Sequence, residues 1–302
     1  MVQDLYSCGK LLITGEYLIL RGARGLALPT SYGQHMRIAS TKDERIEWKS
    51  YDREGKLWFQ ALFSIGLDAN SVSDSIMASR LQSILKEIRM MKPDFFEAQG
   101  GVTIETRLEF ARDWGLGSSS TLIHNLAQWT GVDALELSKC TLGGSGYDVA
   151  TAMCACPISY TLTNGKASIE RLHYNPGFKD KLWFVHLGKK EDSAKAIKAF
   201  DQIRTTEDEV ETLSQLTESL LSSNELFEFQ TIIHSHEELM EDILQRPSAS
   251  SIYADYTGGV VKYLGAWGGD FMLVTGEESD LEYFRVKGMD TIVSFEQMIA
   301  SR

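Results

Sequence analysis

The alternation of apolar and polar residues along the chain predicts strands first. Residues 5–20, LYSCGKLLITGEYLIL, carry apolar strand-like pieces around Gly9-Lys10 and Gly15. Residues 34–41 (QHMRIAST) and 44–51 (ERIEWKSY) alternate with the period of a half-buried antiparallel strand. KLWFQALFS is a further strand candidate, and VTIETRLEF another. Between these two the period changes. Over residues 72–90, Ile76, Leu81, Ile84, Leu85 and Ile88 recur at the spacing of one helix face.

Beyond the segment ARDWGLGSSSTL (residues 111–122), Leu122, Leu126 and Trp129 predict a helix. ALELSK predicts a short second helix, and the small residues of YDVATAMCA suit a closely packed third. Residues 157–173 and KLWFVHL (181–187) return to strand character. Residues 191–245 are helical almost throughout, with breaks near Thr205-Thr206 and Ser222-Ser223 and an end at Pro247. VVKYLGAWGGDFMLVTG is a turn flanked by strands, and DTIVSF is strand-like. Strand runs with inserted helices predict an α+β architecture. The strand-rich first part and the more helical second half predict two lobes, residues 1–165 and 166–302.

Composition narrows the class of partner. A chain of 302 residues with 43% hydrophobic and 24% charged residues has the make-up of a soluble globular protein, and its length suits two domains. It shows no signal peptide and no apolar run long enough to cross a bilayer, so no membrane role and a cytoplasmic location are expected. The net charge is −12 and the 30 basic residues are scattered, which argues against nucleic acid as a partner. A small phosphorylated ligand needs only one lysine, a magnesium ion and backbone amides. Four cysteines make no disulfide framework at this length, and Cys154 and Cys156 read as space-filling. His234 and His236, two apart on a helix, point in different directions and do not make a metal pair.

WGLGSSS lies where a strand hands over to a helix. Glycine at 115 and 117 lets successive amides converge on an anion. Ser118, Ser119 or Ser120 can cap the helix, whose first turn and dipole favour phosphate, and a serine hydroxyl can ligate magnesium. The order is neither Walker A nor GxGxxG. On local chemistry alone a phosphate loop and a structural turn stand level. Three further segments bear on the choice. GGSGYDVATA sets Asp148 after a flexible turn, where its carboxylate either caps the helix or orients a substrate hydroxyl. CGKLLITGEY carries Lys10, which either is solvated or stabilises developing negative charge at a cleft edge, and Glu16. KYLGAWGGDF is another glycine-rich turn.

Taken in chain order over residues 8–275, these four pieces resemble the motifs of the GHMP kinase superfamily. CGKLLITGEYLIL is similar to the first motif, GLGSSS to the second and GAWGG to the third. GSGYDVATA resembles the aspartate-bearing segment of the mevalonate and phosphomevalonate kinase branch, in a GSGYD-containing subgroup. The resemblance implies a two-lobed GHMP kinase fold, with an N-terminal ribosomal protein S5 domain 2-like lobe and a C-terminal ferredoxin-like lobe. It implies ATP and Mg2+ as cofactors and a small-molecule substrate. Gly115, Leu116, Gly117, Ser118, Ser119 and Ser120 would hold the triphosphate, and Ser119 and Glu136 the metal. Asp148 would act as base or hydroxyl-orienting residue, helped by Lys10, while Glu16, Gly265, Gly268 and Gly269 would face the substrate. Mevalonate is the expected acceptor. Phosphomevalonate is the runner-up, followed by a sugar kinase, a diphosphomevalonate decarboxylase and a non-catalytic metabolite-binding homologue. A homodimer is carried as an expectation without a sequence signal of its own.

The departures from the family pattern are specific. Cys8 stands where a proline usually precedes the first Gly-Lys pair. Arg112-Asp113-Trp114 replaces proline and small residues ahead of the second motif. Trp267 and Asp270 make the third motif bulkier and more acidic. Trp267 is expected to narrow the pocket, and Asp270 either disfavours an anionic substrate or faces solvent.

Overall fold

A computed structural model describes residues 2–189, 193–265, 267 and 269–300, with the side chains of residues 193 and 194 left aside. The chain forms two compact units. One comprises residues 1–9, 32–112 and 117–153, and the other residues 10–31, 113–116 and 154–302. The division is therefore not a single cut between the lobes expected at residue 165. Strands β1 (Val2–Thr14) and β2 (Gly25–Ser40) each contribute residues to both units.

In the first unit the end of β2 pairs antiparallel with β6 (Val102–Leu108), from Gln34↔Leu108 to Ser40↔Val102. β3 (Arg45–Tyr51) joins β6 in parallel and β4 (Leu57–Ser64) antiparallel, and β4 carries β5 (Ala69–Val72). The alternation read in β3 survives as Ile46, Trp48 and Ser50 buried against one face. Helix α1 (Ser75–Met91) begins later than periodicity alone predicts, because Asp74 accepts from the amides of Ile76 and Met77 and fixes the start. Its Leu81, Ile84, Leu85 and Ile88 enter the same core as Trp48, Phe63 and Ile104. Helices α2 (Phe95–Gln99), α3 (Ser118–Thr130), α4 (Ala134–Thr141) and α5 (Tyr147–Cys154) complete the unit.

In the second unit the first residues of β2 pair with β7 (Ile158–Thr163), which pairs with β8 (Lys166–Arg171). A separate antiparallel sheet has the order β10-β11-β9-β12, from β9 (Leu182–His186), β10 (Val261–Tyr263), β11 (Phe271–Thr275) and β12 (Ile292–Ser294). Helices α6 (Ser193–Phe200), α7 (Glu207–Ser222), α8 (Leu226–Leu244) and α9 (Ala249–Ile252) lie between β9 and β10 in sequence. The break at Thr205-Thr206 is a helix start, where Thr206 and Glu209 form a capping box for α7. Leu213 of α7 and Met240 and Ile243 of α8 share a core with Val185, Met272 and Val274. Helices α10 (Glu282–Arg285) and α11 (Phe295–Met298) close the chain. No helix among the described residues is long and apolar enough to cross a membrane.

Candidate functional site

Helix α3 has an open N-terminus. Its N-cap is Gly117, in the left-handed region at φ 86°, and no side chain caps it. The expectation that one of the serines caps the helix is corrected here: all three are inside its first turn. A left-handed cap suits glycine, which has no Cβ to clash, and this displaces the serines by one place. Ser120 is buried and donates to Gly117 O at 2.8 Å. Ser119 is exposed and its hydroxyl bonds to no described residue. The helix leaves its first amides without intrahelical acceptors, so donors, helix dipole and an outward hydroxyl come together at Ser118 and Ser119.

The residues just ahead of α3 are held by the first motif. Lys10 N–H donates to Leu116 O at 3.0 Å, and Lys10 Nζ donates to Gly115 O at 3.0 Å. Gly115 is also left-handed, at φ 65°, and a Cβ there would lie 2.1 Å from Asp270 Oδ2. This position admits only glycine for two independent reasons. Asp270 is thus half-buried against the second motif rather than solvated. The unusual ARDW lead-in is an anchor. Arg112 lies over the Trp58 ring at 3.8 Å, and Trp114 is buried edge-on against Phe271, with ring centroids 5.5 Å apart.

Asp148 lies in the first turn of α5, half-buried, and one of its carboxylate oxygens accepts the Val149 amide at 3.0 Å. The turn before it uses Gly143, Gly144 and Gly146, all at positive φ. The second carboxylate oxygen has no partner among the described residues.

Other expected site residues are placed elsewhere. Glu136 is exposed on α4, and its carboxylate meets Lys139 at 3.7 Å and the Cys140 thiol, both on its own helix. No polar contact among the described residues joins it to Ser119, and no cluster of three or more His, Cys, Asp or Glu suited to a metal occurs among them. Gly265 is left-handed at φ 70°, Gly269 is buried, and Gly268 lies outside the described residues. Trp267 does not narrow a pocket. It is 1% exposed, packs on Tyr263 and donates its indole N–H to Pro247 O at 3.3 Å, because so large an apolar ring gains most by joining the core.

Glu16 corrects the expectation of a substrate-facing group most sharply. It is 1% exposed, and its Oε1 accepts a short hydrogen bond from the fully buried Lys262 ammonium. Its Oε2 is 3.1 Å from His236 Nε2. The Gly15 N–H donates to the same ring nitrogen at 3.5 Å, while Glu16 Oε2 and His236 Nδ1 are both left without a hydrogen-bond partner among the described residues. Burial pushes the Glu16 carboxyl up, but the Lys262 ammonium and the His236 ring beside it hold it below the ordinary range. Burial and the nearby Lys262 charge push His236 down.

Neither Lys262 nor Glu237 stands out by motif. A lysine inside the apolar strand VVKYL, and a His-Glu pair in line with Ile233 and Met240 on the apolar face of α8, were the available signals. Glu237 Oε2 accepts the Ala249 amide at 2.8 Å, and burial pushes its carboxyl up to about 7. The folded protein therefore binds this proton more tightly than the unfolded chain, whose carboxyl titrates near 4.5. The resulting stability is present below that value and is lost as pH rises towards 7. Between pH 5 and 8 this group alone is expected to remove about 2 kcal/mol, and Glu237→Gln should flatten the curve by that amount. Urea denaturation at both pH values checks it; parallel wild-type and variant curves would refute it.

This architecture is the GHMP kinase fold, which the comparisons establish over the whole chain. No family model matches the sequence, and no curated protein sequence matches it. Solved structures do. A mevalonate kinase of Methanococcus jannaschii superposes with a TM-score of 0.71 at 14% identity, covering 97% of this chain and 97% of that one. Streptococcus pneumoniae phosphomevalonate kinase, in complex with phosphomevalonate and AMPPNP, gives 0.70 at 15% identity over 97% and 99%. Lactococcus lactis galactokinase complexed with galactose gives 0.66 at 12% identity over 97% and 92%. At these identities the likeness is one of fold.

Proposed function

We propose that the protein is an ATP-dependent small-molecule kinase that transfers the γ-phosphoryl group to the hydroxyl of mevalonate. One observation carries this reading: the uncapped N-terminus of α3, entered through left-handed Gly117, follows directly on residues that Lys10 grips by both its backbone and its ammonium. An open helix start is suited to polyphosphate, and so is a lysine. Gly115, Leu116, Gly117, Ser118, Ser119 and Ser120 are assigned to the triphosphate. Asp148 has a carboxylate oxygen left to orient or take the acceptor proton. Lys10 favours the negative charge that develops on the transferred group, and positioning supplies the rest of the rate.

The donor set fits magnesium at Ser119, a hard hydroxyl ligand on the exposed side of α3. There the ion would neutralise phosphate charge. Glu136, turned to its own helix, does not fit as the second ligand. Ser119→Ala is expected to raise the magnesium concentration for half-maximal activity by about tenfold, a shift of ~1.4 kcal/mol. An unchanged magnesium titration would remove Ser119 from the site.

Phosphomevalonate is the second reading, favoured by GSGYDVATA and by a likeness to the S. pneumoniae enzyme as close as that to the mevalonate kinase. The scattered basic residues weigh against it. A phosphorylation screen over mevalonate, phosphomevalonate and several sugars, read by product mass, separates these cases. ATP binding without turnover of any acceptor would favour a non-catalytic homologue. A cytoplasmic location and a homodimer remain part of the proposal, and gel filtration with light scattering tests the latter.

A further inference from the structure

The reading above does not use Lys262. A fully buried ammonium is an expensive feature. A buried ion pair replaced by apolar side chains of similar volume is often neutral or even stabilising, so stability is a poor explanation for Glu16–Lys262. What the pair connects is more informative.

Lys262 stands at the base of the β10–β11 hairpin, opposite Leu273, and also donates to Tyr263 O at 2.8 Å. The connection of that hairpin carries Gly265, Trp267 and Asp270. It is tied down at its far end, where Asp270 N–H donates to Lys189 O at 2.9 Å and Leu187 N–H donates to Asp270 O at 2.8 Å. The Asp270 carboxylate packs on Gly115, and Gly115 O accepts from Lys10 Nζ. Lys10 lies on β1, and the chain runs from there through Gly15 to Glu16, which returns to Lys262. All of these residues belong to the second unit. They form a closed ring: Lys10, Gly115, Asp270, the hairpin, Lys262, Glu16 and back along the chain to Lys10. His236 and buried strand and helix residues surround the Glu16–Lys262 junction, so it has little room to re-form elsewhere.

We infer that Glu16 and Lys262 are positioning residues: they close this ring and so hold Asp270 on Gly115 and the Lys10 ammonium at its working place. The inference rests on the kinase reading for its effect on rate, but the ring itself is a property of the fold. Breaking the junction loosens residues 113–116 and the hold on Asp270 without removing any side chain proposed to touch ATP. Turnover then falls much further than nucleotide affinity, since a misplacement of the Lys10 ammonium by about 1 Å can cost on the order of 100-fold.

The test uses the full chain with the double substitution Glu16→Leu/Lys262→Met, which removes both charges together. Its melting temperature is expected to stay close to that of the wild type or to rise, with AMPPNP affinity within about threefold by calorimetry and kcat reduced about 30-fold or more. Hydrogen–deuterium exchange should quicken in peptides covering 113–116 and 264–270. Unchanged exchange there overturns the ring, whatever the activity. Quickened exchange with wild-type kcat overturns the positioning role. If the wild type itself phosphorylates no acceptor, the kinase reading fails and exchange alone decides on the ring. Should the double variant not fold, Glu16→Asp keeps the charges balanced but withdraws the carboxylate by one methylene. It is expected to lower kcat about tenfold with KM for ATP unchanged, and Glu16→Asp/Lys262→Arg to recover most of the loss. Full activity in Glu16→Asp, or a loss that falls equally on ATP affinity, refutes the assignment.

Discussion

Replacing Asp148 by asparagine is expected to lower kcat by roughly 1,000-fold, or ~4 kcal/mol of transition-state stabilisation, while ATP affinity changes little. Asparagine matches the carboxylate in size and can still accept the Val149 amide, so the start of α5 should survive. What it loses is the charged oxygen that bonds to no described residue and that could orient or take the acceptor's proton. The effect should therefore appear in kcat, with the melting temperature close to wild type. Steady-state kinetics at saturating ATP and acceptor, together with calorimetric AMPPNP binding, give the two readouts. Full activity under saturation would show that Asp148 is only a helix-terminal residue, which is the ordinary role of an aspartate at such a place.

Lys10→Met should be almost as damaging, at roughly 100- to 1,000-fold in kcat/KM, or about 3–4 kcal/mol. Methionine has similar length and no charge. The backbone bond from residue 10 to Leu116 O is kept, while the ammonium that donates to Gly115 O is removed. The two contributions of Lys10 can thus be separated. If its charge serves the transferred phosphoryl group, the loss falls on kcat and Lys10→Arg recovers only part of it, since a guanidinium is a planar fork and not a point charge. If Lys10 only braces the loop, the loss falls on ATP affinity and the melting temperature instead. Parallel measurement of kcat, AMPPNP affinity and thermal unfolding distinguishes the two, and a fully active Lys10→Met protein would exclude both.

The parts of this molecule that were readable in advance are those governed by short-range rules. The period-two alternation of β3, the apolar face of α1 and the break at Thr205-Thr206 depend on neighbours a few positions away. So does the preference for glycine at Gly115 and Gly117, because positive φ is a property of one residue's own backbone. An α+β fold with a glycine loop ahead of α3 follows from such rules. Small local competitions still misled. The serines looked like caps, but Gly117 took the N-cap position and left them inside the first turn, which opens the helix end further.

Where side chains went astray, the deciding partner was far away in sequence. By resemblance Glu16 is expected to face the substrate, yet its partner Lys262 is 246 positions along the chain, and burial of both was invisible to any local pattern. Trp267 looked like a pocket wall but joined the core with Tyr263, and Asp270 looked free to face solvent but closed on Gly115. Periodicity and backbone preference are one-dimensional and are written in the chain itself. Burial, ion pairing and the company a charge keeps are set by close packing between segments that meet only on folding, and that is where the identity of the buried Glu16–Lys262 junction was settled.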